Sequence, residues 1–224
     1  MGHAHFERAH FLVAARELAR EGGPGQVTVA SVTDRLKAPK GSFYYRFASR
    51  DLLLGELWLA TTLAYQEGFV AAIERGDGLA AALHMPAWVR RNLDDARLLL
   101  LYSRHDFVTG DWPEPLTLGV ADQARRFESC LERFAGLTWG GVDATSLRLS
   151  QFVLADAPLA AVRPHLQRRE PPPALVDEII TITYRSLTVG RPTPTVRFKK
   201  KPKHDGLSGA IRHRRKSPSN PERG

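Results

Sequence analysis

Residues 28–53 read "TVASVTDRLKAPKGSFYYRFASRDLL". Within them, residues 37–47, "KAPKGSFYYRF", place four aromatic rings among eleven residues, in a chain that is 8% aromatic. Thr28 suits an N-cap, and Val29, Val32 and Leu36 fall on one face of the helix that follows. A short turn at Lys37-Ala38 leads to a second helix, with Pro39 expected in its first turn, where a missing N–H costs nothing. Phe43 and Phe47 lie four apart and therefore share a face. The pattern is helix, short turn, helix. Ala30 is expected to be the small residue that lets the two helices approach, with Val32, Leu36, Ala38 and Phe43 between them.

That assignment leaves Lys40, Ser42, Tyr45 and Arg46 outside. A helix start carrying Lys40, Gly41 and Ser42 offers free N–H groups, a positive dipole end and no bulky Cβ at Gly41, which suits an anion. Lysine can reach guanine O6 and N7, and serine can bond a base or a phosphate. A tyrosine offers a ring face to a thymine methyl and a hydroxyl to a phosphate. Phe43 and Phe47 thus fix the helix to a scaffold, and the remaining rings and cations face double-stranded DNA.

Working outward, residues 6–20 carry Phe6, Ala9, Leu12, Val13 and Leu18 at helical spacings, and "EGGPG" ends them. Ser49 caps a long helix over residues 50–74, with Asp51 in its first turn. Further helices are expected over residues 79–92, 96–107, 116–134, 143–155 and 174–187, with "VTGDWPEP" as a loop. No segment alternates as a strand. The expected fold is all-α.

The charge is uneven. The chain carries +8, yet residues 191–224 hold eleven Lys or Arg against two acids, a net +9. The first 50 residues are +4, with eight basic and four acidic residues. A basic front and a basic end point to a polyanion met at both ends. Residues 191–224 are rich in Pro, Lys and Arg and poor in large apolar side chains, so they are expected to be disordered. The expected organisation is a DNA-binding domain over residues 1–50, a helical ligand-binding and dimerisation domain over 51–190, and a basic tail over 191–224.

The length allows one large domain or two small ones. No run of about 18 apolar residues suggests a membrane span, and "MGHAHFERAH" lacks a signal-peptide core. Cys130 is the single cysteine and reads as a small buried hydrophobe; no intrachain disulfide is possible. Membrane binding and cofactors are not expected, and the place of action is expected to be the cytoplasm, at the nucleoid. No Ser-His-Asp, P-loop or dinucleotide fingerprint occurs.

The stretch from Thr28 to Leu53 resembles the DNA-binding segment of TetR/AcrR-type bacterial transcriptional regulators. It carries their Thr-capped helix, their Lys40-Gly41-Ser42-Phe43-Tyr44 run with Phe47, and their Ser49-Arg50-Asp51-Leu52-Leu53 helix start. Ala38 stands where Val is usual, Pro39 where Ser is usual, and Tyr45-Arg46 replaces the commoner His-His. The resemblance spans residues 6–60. It implies a non-enzymatic regulator, in most cases a repressor, that acts as a homodimer on a palindromic operator and responds to a small-molecule inducer. Matched to the family, Thr28, Lys37, Tyr44 and Arg50 are expected at phosphates; Lys40, Ser42, Tyr45 and Arg46 are expected at the groove, with Gly41 in the DNA-binding set at the open helix start.

Beyond residue 60 the resemblance is architectural. Trp58, Tyr65, Phe69, Trp88, Tyr102, Trp112 and Phe127 recur on successive helices and, with His105, are candidates for an inducer pocket; each ring alone reads as core. Leu147, Gln151, Leu154, Ile179, Ile182 and Tyr184 are candidates for a four-helix dimer interface. Two alternatives stand beside this assignment. One is a nonspecific nucleic-acid-binding module driven by the tail. The other is an all-α His-Asp metal-dependent phosphohydrolase built on His84, His105, Asp106 and Asp156.

Overall fold

The computed structural model describes residues 6–189; the predicted disordered tail at 191–224 lies outside the described residues. Helix α1, Arg8–Gly22, begins where Glu7 and His10 cap each other reciprocally. It ends at Gly23, and a single 3-10 turn, Pro24–Gln26, leads to α2, Val29–Leu36. Thr28 caps α2 as its sequence implies. Its hydroxyl accepts from the Ser31 N–H at 3.0 Å, and Ser31 Oγ accepts from the Thr28 N–H at 2.9 Å, satisfying two N–H groups the helix cannot.

Helix α3, Lys40–Arg46, is short, and Pro39 stands just before it as N-cap in extended conformation instead of inside its first turn. Helix α4 is Arg50–Glu74 and is capped by Ser49, whose hydroxyl accepts from Leu52 N–H at 3.1 Å. Its first half (Leu52, Leu53, Leu54, Leu57) joins Phe11, Val32, Phe43 and Phe47 in one core. Its second half (Tyr65, Phe69, Val70, Ile73) joins a larger core.

That larger core is closed by α5 (Gly78–Arg91), α6 (Leu93–Leu101), α8 (Glu114–Trp139), α9 (Ala144–Gln151), α10 (Ala157–Arg168) and α11 (Ala174–Thr188), with the single-turn α7 (Arg104–Phe107) between α6 and α8. The expected helix over residues 96–107 is broken in two. Tyr102 and Ser103 are extended, and Asp106 and Ser103 form a reciprocal cap that starts α7. The Ser-x-x-Asp signal for this is present in "SRHD".

Helix α10 is absent from the sequence-based expectation because of its two prolines. Pro158 occupies the first turn, where no donor is required, and Pro164 lies inside and exposed. A wide π turn, Phe152–Asp156, falls just where Pro158 removes the N–H that Leu154 would otherwise receive. Ala30 is exposed rather than at the α2–α3 contact. Thr33 is the buried polar residue of α2, and its hydroxyl donates back to the carbonyls of Val29 and Ala30 at 2.9 and 3.0 Å. Among the described residues no helix is long and apolar enough to cross a membrane.

Candidate nucleic-acid interface

The recognition helix is held by rings. Phe43 and Phe47 are fully buried, 5.7 Å apart between centroids, and Phe11 of α1 meets them edge-on at 5.8 and 6.2 Å. Arg8 lays its guanidinium over the Phe47 ring at 4.0 Å and pairs with Glu56 of α4. Burying two phenylalanines contributes roughly 1.5–3 kcal/mol each. This locks α3 against α1 and α4, so its other face has a fixed direction.

On that other face Lys40, Gly41, Tyr44 and Tyr45 are exposed, Tyr45 at 79%, and Ser42 is half-buried. Two large rings thus stand exposed side by side, Tyr44 edge-on to Phe43 at 5.4 Å and Tyr45 open to solvent. A Cβ at Gly41 would meet no protein atom within 4 Å, so packing does not demand glycine there. Thr28 and Lys37 are exposed on the same α2–turn–α3 segment.

Lys37 adopts the left-handed conformation, φ 52° and ψ 38°. Its N–H donates to Asp34 O, and the Ala38 N–H donates to Thr33 O at 2.9 Å, the double closure that ends many helices. Glycine is usual at such a position, so the sequence gives no sign of the conformation.

Two candidate contacts are engaged inside the fold. Arg46 is half-buried; its Nε donates to Phe6 O at 3.1 Å and its guanidinium lies over the Tyr45 ring at 4.8 Å. Arg50 donates to Val27 O at 2.6 Å and Pro24 O at 2.9 Å, and pairs with Asp51 at 3.1 Å. It ties the turn after α1 to the start of α4.

The eight pocket candidates do not share one wall. Trp58 and Trp112 pair at 5.1 Å beside the N-terminal core, where Tyr102 also packs with its hydroxyl against Gly23. Tyr65 meets Trp88 at 5.3 Å, and Phe69 meets Phe127 at 5.5 Å, in the larger core. His105 is exposed on α7. The division arises because α4 crosses both cores. Burial pushes the Tyr65 hydroxyl well above its ordinary range.

Beside Tyr65 and Phe69 lie His84, which the sequence reading named, and two glutamines that it missed. His84 Nε2 lies 2.7 Å from Tyr65 O, and its pKa is lowered, first by burial and also by Arg91, against the hydrogen bond to Tyr65. Gln66 donates to Gln123 Oε1 at 2.9 Å, while its own Oε1 is buried and receives no hydrogen bond. Glutamines at helical spacing carry no signal of burial, so periodicity alone could not single them out.

Of the interface candidates, Leu154 is fully buried, so it cannot meet a second chain. Leu147 and Tyr184 pack on the larger core, and Gln151 bonds Asp156 at 3.0 Å. Ile179 and Ile182 are exposed on α11, at 48% and 65%, in a stripe with Leu175, and the exposed Val189 follows in extended conformation just past the helix. The helical period places 175, 179 and 182 on one face of α11, so that stripe was readable from the helix alone.

The His-Asp set is not assembled. His84 faces Tyr65, Asp106 caps α7, and Asp156 accepts from Gln151. Among the described residues no three His, Cys, Asp or Glu side chains converge as a metal site.

A buried aromatic anchor under an exposed Lys-Gly-Ser-Tyr edge defines a helix-turn-helix DNA-binding protein. Residues 11–57 match the family model for bacterial regulatory proteins of the tetR family. Residues 11–57 are thus a DNA-binding segment of the tetR type. No curated protein sequence matches it. Among solved structures, the transcriptional regulator FadR from Bacillus subtilis, in complex with stearoyl-CoA, shares the fold with a TM-score of 0.57 and 13% identity; the match covers 83% of this chain and 100% of that one.

Proposed function

We propose that this chain is a ligand-responsive repressor that binds a two-fold symmetric operator as a homodimer and has no catalytic activity. The observation that carries the DNA-binding part is the exposed edge of α3 over its buried phenylalanines. Lys40, Ser42 and Tyr45 contact base edges, Gly41 lets the helix start approach closely, and Thr28, Lys37 and Tyr44 meet phosphates. Arg46 and Arg50 act one step back, orienting Tyr45 and the start of α4.

The proposed division places the DNA reader in residues 1–50 and the inducer and dimer functions in 51–190. The inducer site lies along Tyr65, Phe69, Trp88 and Phe127, with Gln66 Oε1 free to accept from a ligand hydroxyl or amide. FadR's ligand makes acyl-CoA esters the first compounds to try. The apolar stripe of α11 is the proposed dimer face, since Leu175, Ile179 and Ile182 follow four–three spacing and stand exposed on one side of the helix. Ligand binding that favours another separation of the two α3 helices lowers operator affinity by population shift.

Genomic footprinting followed by titration of Tyr45→Ala and Lys40→Ala tests this. A bounded palindromic site is expected, with each variant losing about 1–3 kcal/mol on that site and little on random DNA. Diffuse coverage that vanishes when residues 190–224 are removed would instead assign binding to the basic tail and sink the proposal.

A further inference from the structure

Arg97 of α6 is used neither by DNA binding nor by an inducer site along α4. Its Nη1 is fully withdrawn from solvent and meets no acceptor. It borders a cavity of about 140 Å³ lined by Ala19–Gly23 at the end of α1, by Asp94, Arg97, Leu98 and Tyr102, and by Arg169 after α10. One water accounts for roughly 30 Å³ of liquid volume, so there is room for a small polyatomic group.

Apart from Asp94, the charged neighbours of Arg97 are engaged with other groups. Arg20 is held two-handed by Asp95 at 3.1 and 2.9 Å, and Arg16 lies 3.7 Å from the same carboxylate. Glu21 is turned outward to Arg35 at 2.6 Å. Arg169, itself in a left-handed conformation, sends one Nη2 to Glu21 O at 3.3 Å. Asp94 is exposed and makes no ion pair. The carbonyl ends of α1 and α10 also close on this place, where a free guanidinium would ordinarily find acceptors; Arg97 reaches none of them. A withdrawn cationic donor left unbonded is more costly than a neutral one, and a fold ordinarily avoids it.

We propose that this cavity is a binding site for a small oxyanion of the phosphate type, held by Arg97 with Arg169 and the Tyr102 hydroxyl. A phosphate oxygen supplies the acceptor Arg97 lacks, and a second oxygen faces Arg169 across the same space. Because the walls come from α1, α6 and the end of α10, occupancy joins the helix that carries the recognition-helix scaffold to the body of the protein. The site is separate from the aromatic inducer site proposed above and does not depend on it.

The test uses the full chain and inorganic phosphate, with chloride at matched ionic strength as reference. Phosphate at one hundred times its Kd should raise the melting temperature by roughly 5–11 °C through mass action. Arg97→Met should abolish that increment, and in phosphate-free buffer it should melt no lower than the parent, because it removes a half-buried cation whose withdrawn Nη1 has no acceptor. Arg97→Lys should keep part of the increment. Glycerol 3-phosphate in parallel separates the two sources of the group: a matching rise means the site takes a phosphate carried on a larger molecule, and no rise means it takes the free anion. Equal stabilisation of parent and Arg97→Met would mean a general salt effect and overturn the site. A lower melting temperature for Arg97→Met without phosphate would overturn it too, since Arg97 would then be satisfied by packing or water.

Discussion

Lys37→Gly separates folding from DNA binding at a single residue. Lys37 closes α2 at φ 52°, a conformation that costs an L-residue about 1–2 kcal/mol. Glycine removes that cost but gains freedom in the unfolded chain, offsetting about 0.5–1 kcal/mol. The Lys37 side chain is exposed and makes no ion pair in the described fold, so nothing else is lost. The net gain is about 0.5–1 kcal/mol, a rise of about 1–4 °C in melting temperature for a chain of this size. Binding should move the other way. If the ammonium meets one phosphate per half-site, its loss lowers the slope of log K against log salt by about 0.9 for each half-site, equally on operator and random duplexes. Thermal melting and a salt titration on both duplexes check the two arms. A fall in stability would refute the conformational argument, and an unchanged slope would remove Lys37 from the phosphate contacts.

Gly41→Ala should leave stability equal or higher by up to about 1 kcal/mol, since its Cβ meets open space on a helix, yet weaken operator binding; unchanged affinity in a fluorescence anisotropy titration would end the close-approach role of Gly41. Gly23→Ala should destabilise by more than about 1–3 kcal/mol in chemical denaturation, because φ 84° with ψ 172° is nearly glycine-only and the new methyl would lie 2.6 Å from the Tyr102 hydroxyl. His84 has its pKa lowered in the fold, so below about pH 6.5 the unfolded chain takes up the proton first and stability falls as pH falls; His84→Gln should flatten that part of the stability–pH curve. Ile179→Glu with Ile182→Glu should convert the proposed dimer to monomer in sedimentation with the helical spectrum kept, and a surviving dimer would move the interface off α11.

The elements that could be read to the residue are those with local signals. Thr28 and Ser49 announce α2 and α4, and the apolar period carries α4 through to Glu74. Phe43 and Phe47 are legible as anchors because four-residue spacing decides their shared face. What escaped has a tertiary cause. Pro158 and Pro164 argue locally against α10, and only the π turn before them makes the helix continuous. Leu154 looks like an interface residue by apolarity, but the same pattern serves a side chain pressed into the core. Tyr102 and Tyr65 are equally aromatic, yet they belong to different cores because a break follows α6 and because α4 traverses both. Arg46 and Arg50 carry the charge expected of DNA contacts, and only the fold reveals the carbonyls of Phe6, Val27 and Pro24 waiting for them.

The 25 residues of α4 form one rod about 37 Å long, seated at one end among the phenylalanines under the recognition helix and at the other among Tyr65, Phe69 and Ile73. A rod embedded at both ends works as a lever. A tilt of about 5° at its aromatic end carries the opposite end sideways by about 3 Å, close to the 3.4 Å step between successive bases along a strand. Slight repacking around Phe69 and Phe127 is therefore geometrically sufficient to put α3 out of register with a groove fixed by the DNA, without any change in the side chains that read it.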